Sequence, residues 1–425
     1  MSRWCMMLVV ICAGCRTTPP APAPLKLSVL GFGLEAGEHL KQDALAEYSS
    51  KTGIQVDLIP TPGTSAEQLP LVLDLFRRQS SSPDILLIDG TWPGTLHENL
   101  LDLAPYLNDE ARRHAKPLLD NNTVDGRIVA LPLYMSGGML FYRADLLKKY
   151  GYAAPPNTWK KLADMALHIQ KGERREGKRS FWGYIWQGGE YEGLTCNALE
   201  WQASYGGGNI VENDGAISVD NTHAAEALSD AASWVGSIAP PSVLAYTEAD
   251  TSNVFRSGNA AFMRHWTSAF RAIRDSMRPG AVDVALLPAG PAGRATTIGG
   301  FQLAVSRYSL HTREAAALIL YLTGTEVQTR RALNRGFLPT YPELHHAPQL
   351  VRDLPQARIF GEAPVTSWIF RPASVTGRKY PEVSTAYFQN VHRALAGKMP
   401  ADRAVAEIGR KLRTLADSPT GLFQH

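Results

Sequence analysis

The sequence predicts an α/β protein built as two lobes. Strand and helix patterns alternate over the first part of the body, and a second α/β region follows. The roughly four hundred residues from Leu25 onward are too many for one ordinary hydrophobic core. Leu25, Leu27 and Val29 alternate with Lys26 and Ser28 as a short strand. Leu40, Ala44, Leu45 and Tyr48 then recur at helical spacing, and Gly53 stands where such a helix ends. Ile54, Val56 and Leu58 give a second strand, residues 66–78 a helix, and residues 84–88 a buried third strand. This βαβαβ order implies parallel strands joined by right-handed crossovers.

The second region opens with extended segments over 128–133 and 138–142 and a helix that Thr158 caps, marked by Trp159, Leu162, Ala163, Ala166 and Leu167. Glycine-rich turns stand at Gly188-Gly189 and Gly206-Gly207-Gly208. Residues 224–238 read as a helix, 260–266 and 282–287 as strands, and 301–306 as a strand leading into a helix over 312–322. The C-terminal part is mainly helical, with Phe388, Val391 and Leu395, then Ala404, Ile408, Leu412 and Leu415, as apolar stripes.

The N-terminus reads as an export signal. Arg3 precedes an apolar run over 6–13, too short to span a bilayer, which closes on Cys12-Ala13-Gly14-Cys15. Small residues before a cysteine suit a lipoprotein signal peptidase, so residues 1–14 are expected to be removed and Cys15 to carry lipid. Cys12 stands where a lipobox usually has leucine; a plain secretory signal is the alternative, and it too exports the chain. Residues 15–24 then form a tether, with four prolines among residues 16–24 favouring an extended polyproline II spacer.

Forty-three Lys and Arg against forty Asp and Glu is near balance, and the short basic runs are scattered along helices, which argues against nucleic-acid binding. Of four cysteines only Cys196 remains in the mature body, which excludes an intramolecular disulfide and a thiolate metal site there. Cys196 is expected to be buried packing.

Gly31-Phe-Gly33-Leu-Glu-Ala36 matches a dinucleotide fingerprint, but Asp57 falls inside the second strand instead of at its end, where a ribose would be reached. These glycines are expected to let the backbone approach another ligand. The chain has no G-x-S-x-G, no H-E-x-x-H and no cysteine–histidine nucleophile pattern. His345-His346 reads as a surface loop. Trp159 and Trp234 lie on apolar helix faces and are expected in the core. Trp92 follows a strand's carboxyl end, beside Asp89, which is where open α/β sheets bind ligands. An indole face with a carboxylate beside it suits a sugar, whose C–H faces stack while its hydroxyls pair. Packing for Trp92 and helix capping for Asp89 are the alternative reading.

The chain resembles the extracellular solute-binding proteins (family 1) of ABC importers, in their trehalose/maltose-binding branch. The resemblance is carried by Pro83-Asp-Ile-Leu-Leu-Ile-Asp-Gly-Thr-Trp92, Leu140-Phe-Tyr-Arg-Ala-Asp-Leu-Leu-Lys-Lys-Tyr-Gly151 and Pro156-Asn-Thr-Trp159. Phe255-Arg-Ser-Gly-Asn-Ala-Ala-Phe-Met263, Ile298-Gly-Gly-Phe301, Arg371-Pro372 and Tyr380-Pro-Glu-Val-Ser384 continue it in order. It implies a two-lobe periplasmic-binding-protein fold of the class II type, closing on a ligand at a hinge. Lobe 1 would comprise residues 25–132 and 296–340, and lobe 2 residues 133–295 and 341–425.

The resemblance also implies a ligand set: Glu35 after the first strand, Asp89 and Trp92 after the third, Tyr134 past the first crossing, and Trp266, Gly299, Gly300 and Arg371. Glu192 or Tyr191 is a further candidate. Ser136 departs from the family, where related disaccharide binders often carry aspartate. The implied protein is a non-enzymatic, monomeric sugar receptor without a cofactor or metal. It would be held to the membrane by lipid on its extracytoplasmic side and would hand a carbohydrate, a disaccharide first, to two permease subunits. The rivals are the same scaffold taking a glycerophosphodiester or small anion, an exported glycan-active enzyme, and a receptor that signals instead of transporting.

Overall fold

A computed structural model of the chain describes residues 24–32, 40–61 and 65–418. The expected signal segment, Cys15, most of the tether, Gly33 and Glu35 lie outside the described residues. Strand β1 (Lys26–Phe32) leads through helix α1 (Ala46–Thr52) to β2 (Gln55–Pro60), and α2 (Ser65–Arg77) leads to β3 (Ile85–Asp89). Gly53 caps α1 in the left-handed conformation, φ 74°, as its position predicts. A short helix α3 (Pro93–Leu96), the ribbon β4 (Thr123–Val124) with β5 (Arg127–Ile128), and β6 (Leu131–Pro132) follow.

Then come β7 (Ser136–Arg143), α4 (Trp159–Arg175), β8 (Trp182–Ile185), α5 (Glu192–Ser204) and α6 (Thr222–Trp234). Thr158 accepts from the Lys161 amide, the cap expected for α4. Strands β9 (Ala260–Trp266), β10 (Val282–Leu286), β11 (Thr296–Gly299) and β12 (Phe301–Val305) precede α7 (Thr312–Thr323) and α8 (Thr325–Arg335). The last of the described elements are β13 (Trp368–Ile369), α9 (Tyr380–Leu395) and α10 (Ala401–Ala416).

Among the described residues these strands make two main sheets. The first runs β2-β1-β3-β12-β6; β1 is parallel to β2 and β3, and β12 is antiparallel to β3. The second runs β13-β11-β7-β9-β8, with β10 beside β7. Alternation along the strands feeds a core on each face of each sheet. On the first, Leu27, Val29 and Leu87 face one core, and Leu30, Leu86 and Ile88 the other. On the second, Leu140 and Tyr184 pack with a group of buried tryptophans that includes Trp159 and Trp234, while Met139, Phe141 and Met263 pack opposite.

Gly31, at φ 122°, would put a Cβ 2.7 Å from Leu87 Cβ. Its lack of a side chain lets β1 lie against β3, so the close approach is to a neighbouring strand and not to a ligand. His345 is also corrected: it is buried, with Nε2 2.8 Å from the Pro339 carbonyl, and only His346 is exposed.

Three segments connect the two sheets. Leu133–Met135 joins β6 to β7, Gly300 joins β11 to β12, and the chain returns beyond α8 through Leu338–Thr340. Since β11 pairs with β7 and β13, the sheet change comes at Gly300, later than the expected boundary at 295/296. The connections are tied together: the Met135 amide donates to the Leu338 carbonyl, and Met135, Ile298 and Leu338 share one apolar cluster with Phe360.

His114 lies against the third connection, with Nδ1 2.6 Å from Thr340 Oγ1 and its ring over Tyr341. Burial pushes its pKa from 6.5 down to about 3, so the folded imidazole stays neutral where an unfolded one takes a proton. Between those values the unfolded state binds more protons, so stability falls as pH falls, by about 1.4 kcal/mol per pH unit for one histidine. Urea midpoints should decline from about pH 6.5 to pH 4.5, and His114→Gln should make that decline shallower by one proton's share. An unchanged slope in the variant would contradict this account.

Candidate functional site

The carboxyl end of β3 and the connection through Gly300 are in direct register. Phe301 pairs with Asp89, and the Gly90 amide donates to the Gly300 carbonyl at 3.2 Å. Asp89 Oδ1 accepts from the amide and hydroxyl of Thr91, both at 2.9 Å, which holds the carboxylate at the strand end. Across from it lies Arg371, just past β13. Its Nη1 donates to Glu192 Oε1 at 2.8 Å, and its Nη2 lies 3.7 Å from Asp89 Oδ1. One guanidinium therefore spans from Glu192, the first residue of α5, in one lobe to the end of β3 in the other.

Glu192 also accepts from the Tyr380 hydroxyl, and from Ser384 Oγ at 2.5 Å. Burial works against the charge of Arg371, but Asp89 and Glu192 outweigh it and hold the group firmly protonated. Among the described residues its buried Nε has no hydrogen-bond partner. Gly90, Thr91, Gly299, Gln302, Phe370 and Arg371 border a cavity of about 10 Å³, room for about one water. The unpaired N–H of Arg371 is a donor held ready for an oxygen.

Trp266 ends β9 and is half-buried. Its Nε1 donates to Glu248 Oε1 at 3.2 Å, and Glu248 Oε2 accepts from the Tyr191 hydroxyl at 2.6 Å. A Cβ on Gly299 would sit 3.3 Å from the indole, so the bare backbone there admits the ring edge. Tyr134 stacks on Phe337 at 4.3 Å, and burial raises its pKa, keeping the phenol neutral. Its carbonyl lies where a Cβ on Gly300 would go.

Asp89, Glu192 and Arg371 thus meet directly, Trp266 joins them at Gly299, and Tyr134 joins at Gly300. Trp92 does not take part. It is 4% exposed and packs with Leu30, Val72, Ile88 and Leu96 inside the first lobe, because α3 turns the indole back under the sheet. Ser136 is occupied as well, its hydroxyl 3.0 Å from Thr267 Oγ1. Cys196 is buried, and burial pushes its thiol up to about 12, which makes it inert packing.

The sequence reading missed Glu248, which carries no local pattern, and gave no site role to Tyr380 and Ser384, although both stand in a segment that carries the family resemblance. It also missed Arg264 and Glu200, although an arginine inside the apolar strand Ala260–Trp266 signals that a buried partner must exist. Among the described residues no cluster of side chains has the make-up of a metal site, and no helix is long and apolar enough to cross a membrane.

Comparison with known proteins agrees with this architecture. The bacterial extracellular solute-binding protein family matches residues 33–329. A probable ABC transporter-binding protein of Deinococcus radiodurans is 43% identical over 83% of this chain and 84% of its own. The maltose-bound MalE3 of T. maritima is 32% identical, covering 92% of this chain and 100% of its own, at a TM-score of 0.83. A solute-binding protein of Thermotoga lettingae bound with α-D-tagatose shares the fold at 22% identity, covering 91% of this chain and 98% of its own, at a TM-score of 0.79. The fold is thus the two-lobe form of the extracytoplasmic sugar-binding proteins, and the chain belongs to the bacterial extracellular solute-binding protein family, a family of ABC-transporter binding proteins and not of enzymes.

Proposed function

We propose that this protein captures a neutral sugar between its lobes, an α-linked disaccharide such as maltose or trehalose first among candidates, and passes it to the membrane subunits of an ABC importer. It would work as a monomer, anchored by lipid on Cys15 at the extracytoplasmic face of the membrane. The observation that carries this reading is the Arg371 bridge: a buried guanidinium reaching carboxylates of both lobes, with a spare N–H at the seam. Asp89, Glu192, Trp266, Gly299, Gly300 and Arg371 would form the ligand set, with Tyr134 and Glu35 at its edge.

The acids of this set already hold donors from Thr91, Tyr380 and Ser384, which favours an uncharged, hydroxyl-rich ligand over a cation. An anionic ligand would need several converging cations, whereas the group around Arg371 is acidic and aromatic. A ligand touching both lobes stabilises the closed arrangement by its differential affinity. The 32% identity to a maltose-bound relative supports the choice of disaccharide.

The test is a thermal-unfolding screen of purified protein against monosaccharides, disaccharides, polyols and glycerophosphodiesters. A ligand at a hundred times its Kd adds about 2.7 kcal/mol to stability. A clear rise in Tm is expected with at least one α-linked disaccharide. A rise with phosphodiesters or anions alone, or with none of the panel, would overturn the reading.

A further inference from the structure

Beneath Trp266 lies a pair of opposite charges with no access to solvent. Arg264 and Glu200 are both fully buried; Arg264 Nε donates to Glu200 Oε2 at 2.9 Å and Nη2 to Oε1 at 2.5 Å, the two-pronged geometry of a guanidinium on a carboxylate. Glu200 Oε1 accepts further from the amide and hydroxyl of Thr297 on β11, and Arg264 Nη2 reaches the same hydroxyl at 3.0 Å. Gln187 Oε1 takes Arg264 Nη1 at 3.3 Å. One pair therefore ties α5, β9, β11 and the turn after β8 together.

Two features show what the pair is built against. Arg264 and Trp266 stand two apart on β9, so their side chains share a face, and the guanidinium carbon lies 4.0 Å from the indole centroid. On the neighbouring strand, Gly138 pairs with Trp266, and a Cβ there would meet Glu200 Oε1 at 2.1 Å and Arg264 Nη2 at 2.6 Å. Strand β7 has given up a side chain, which leaves room for the ion pair and for its guanidinium over the ring.

Stability does not account for this arrangement. Removing two charges from water costs about as much as their attraction returns, and well-packed apolar residues commonly do as well. What apolar residues cannot supply is a planar, charged surface that fixes an indole's tilt. Glu248 holds the ring's N–H from one side and Gly299 admits its edge, so the guanidinium completes a three-sided mount.

We infer that Glu200 and Arg264 are positioning residues: Glu200 locks the guanidinium plane, and the guanidinium sets the orientation in which Trp266 meets the ligand. This rests on Trp266 belonging to the sugar site. Arg264 acts through the ring and touches no ligand itself. Its planarity matters as well as its charge, because a lysine ammonium offers neither the flat face nor the two-pronged grip.

The experiment is a double-mutant cycle in the full-length protein, with the disaccharide that stabilises it most as the probe. Glu200→Gln with Arg264→Met removes both charges and leaves none unpaired, which protects the fold; Arg264→Lys is the second variant. The double variant is expected to bind at least tenfold more weakly, about 1.4 kcal/mol, with little change in Tm. In a Trp266→Ala background the same pair of changes should cost almost nothing further, since the ring they act through is gone.

Near-UV circular dichroism of the ligand-free protein should change in Arg264→Lys, and less in a variant that already lacks Trp266. That readout needs no ligand, so it tests the mount even if the sugar assignment fails. Unchanged affinity in the double variant, or an equal loss with and without Trp266, would overturn the inference. So would an indole spectrum indifferent to residue 264.

Discussion

Replacing Arg371 by methionine should lower affinity for the cognate sugar by a hundredfold or more while leaving the protein folded. The size follows from burial. Truncating the buried member of a hydrogen-bonded, partly buried charge pair costs about 2–5 kcal/mol of binding, more than an exposed pair. The fold survives because neither carboxylate is stranded: Asp89 keeps the two donors of Thr91, and Glu192 keeps Tyr380 and Ser384. Arg371→Lys should recover only part of the loss, since an ammonium reaches one carboxylate but cannot also present a spare planar N–H. Titration calorimetry checks both variants. An Arg371→Met protein with unaltered Kd would remove the bridge from the mechanism.

Much of the first lobe could be read from the chain, for a local reason. Its strands are short apolar runs bounded by turn residues, and Ile85–Leu87 are buried on both faces of the sheet, so their burial is written in their composition. The Thr158 and Gly53 caps were equally legible because capping is decided within one turn. Helix α5 was not. It is buried on nearly every side, so polar Asn197, Glu200 and Gln202 stand among apolar neighbours and no stripe forms. The antiparallel insertion of β12 between β3 and β6 depends on partners far along the chain, which periodicity cannot reveal.

The site divides in the same way. Arg371 came from resemblance and Asp89 from its place at a strand's carboxyl end as well, and in the structure the two are partners in one ion bridge. Trp92 stands in the same stretch with the same local credentials, yet α3 folds it into the core. Residues 89–92 look alike on paper in either case; the direction of the following turn decides which side chain faces the seam and which faces inward.

Gly300→Ala is the substitution expected to harm the fold most, and its effect separates into two parts. The residue sits at φ 122°, where a Cβ is strained, at a cost of about 1–3 kcal/mol. The added methyl would also lie 2.3 Å from the Tyr134 carbonyl oxygen and 3.0 Å from the Met135 Cα. Both are main-chain atoms of the neighbouring connection, so no side-chain rotation relieves the clash, and forcing them apart costs about 1–3 kcal/mol more. Gly293→Ala supplies the control: its φ is also 122° but nothing lies within 4 Å of the new carbon, so it should show the strain alone. Urea unfolding of the two variants should differ by the clash, with Gly300→Ala the less stable. Because Gly300 accepts from Gly90 and leads into the partner of Asp89, the same change should weaken sugar binding, whereas Gly293→Ala should not. Equal stability of the two variants would mean the connections part without resistance, and the close crossing would then have no role in holding the two lobes in register.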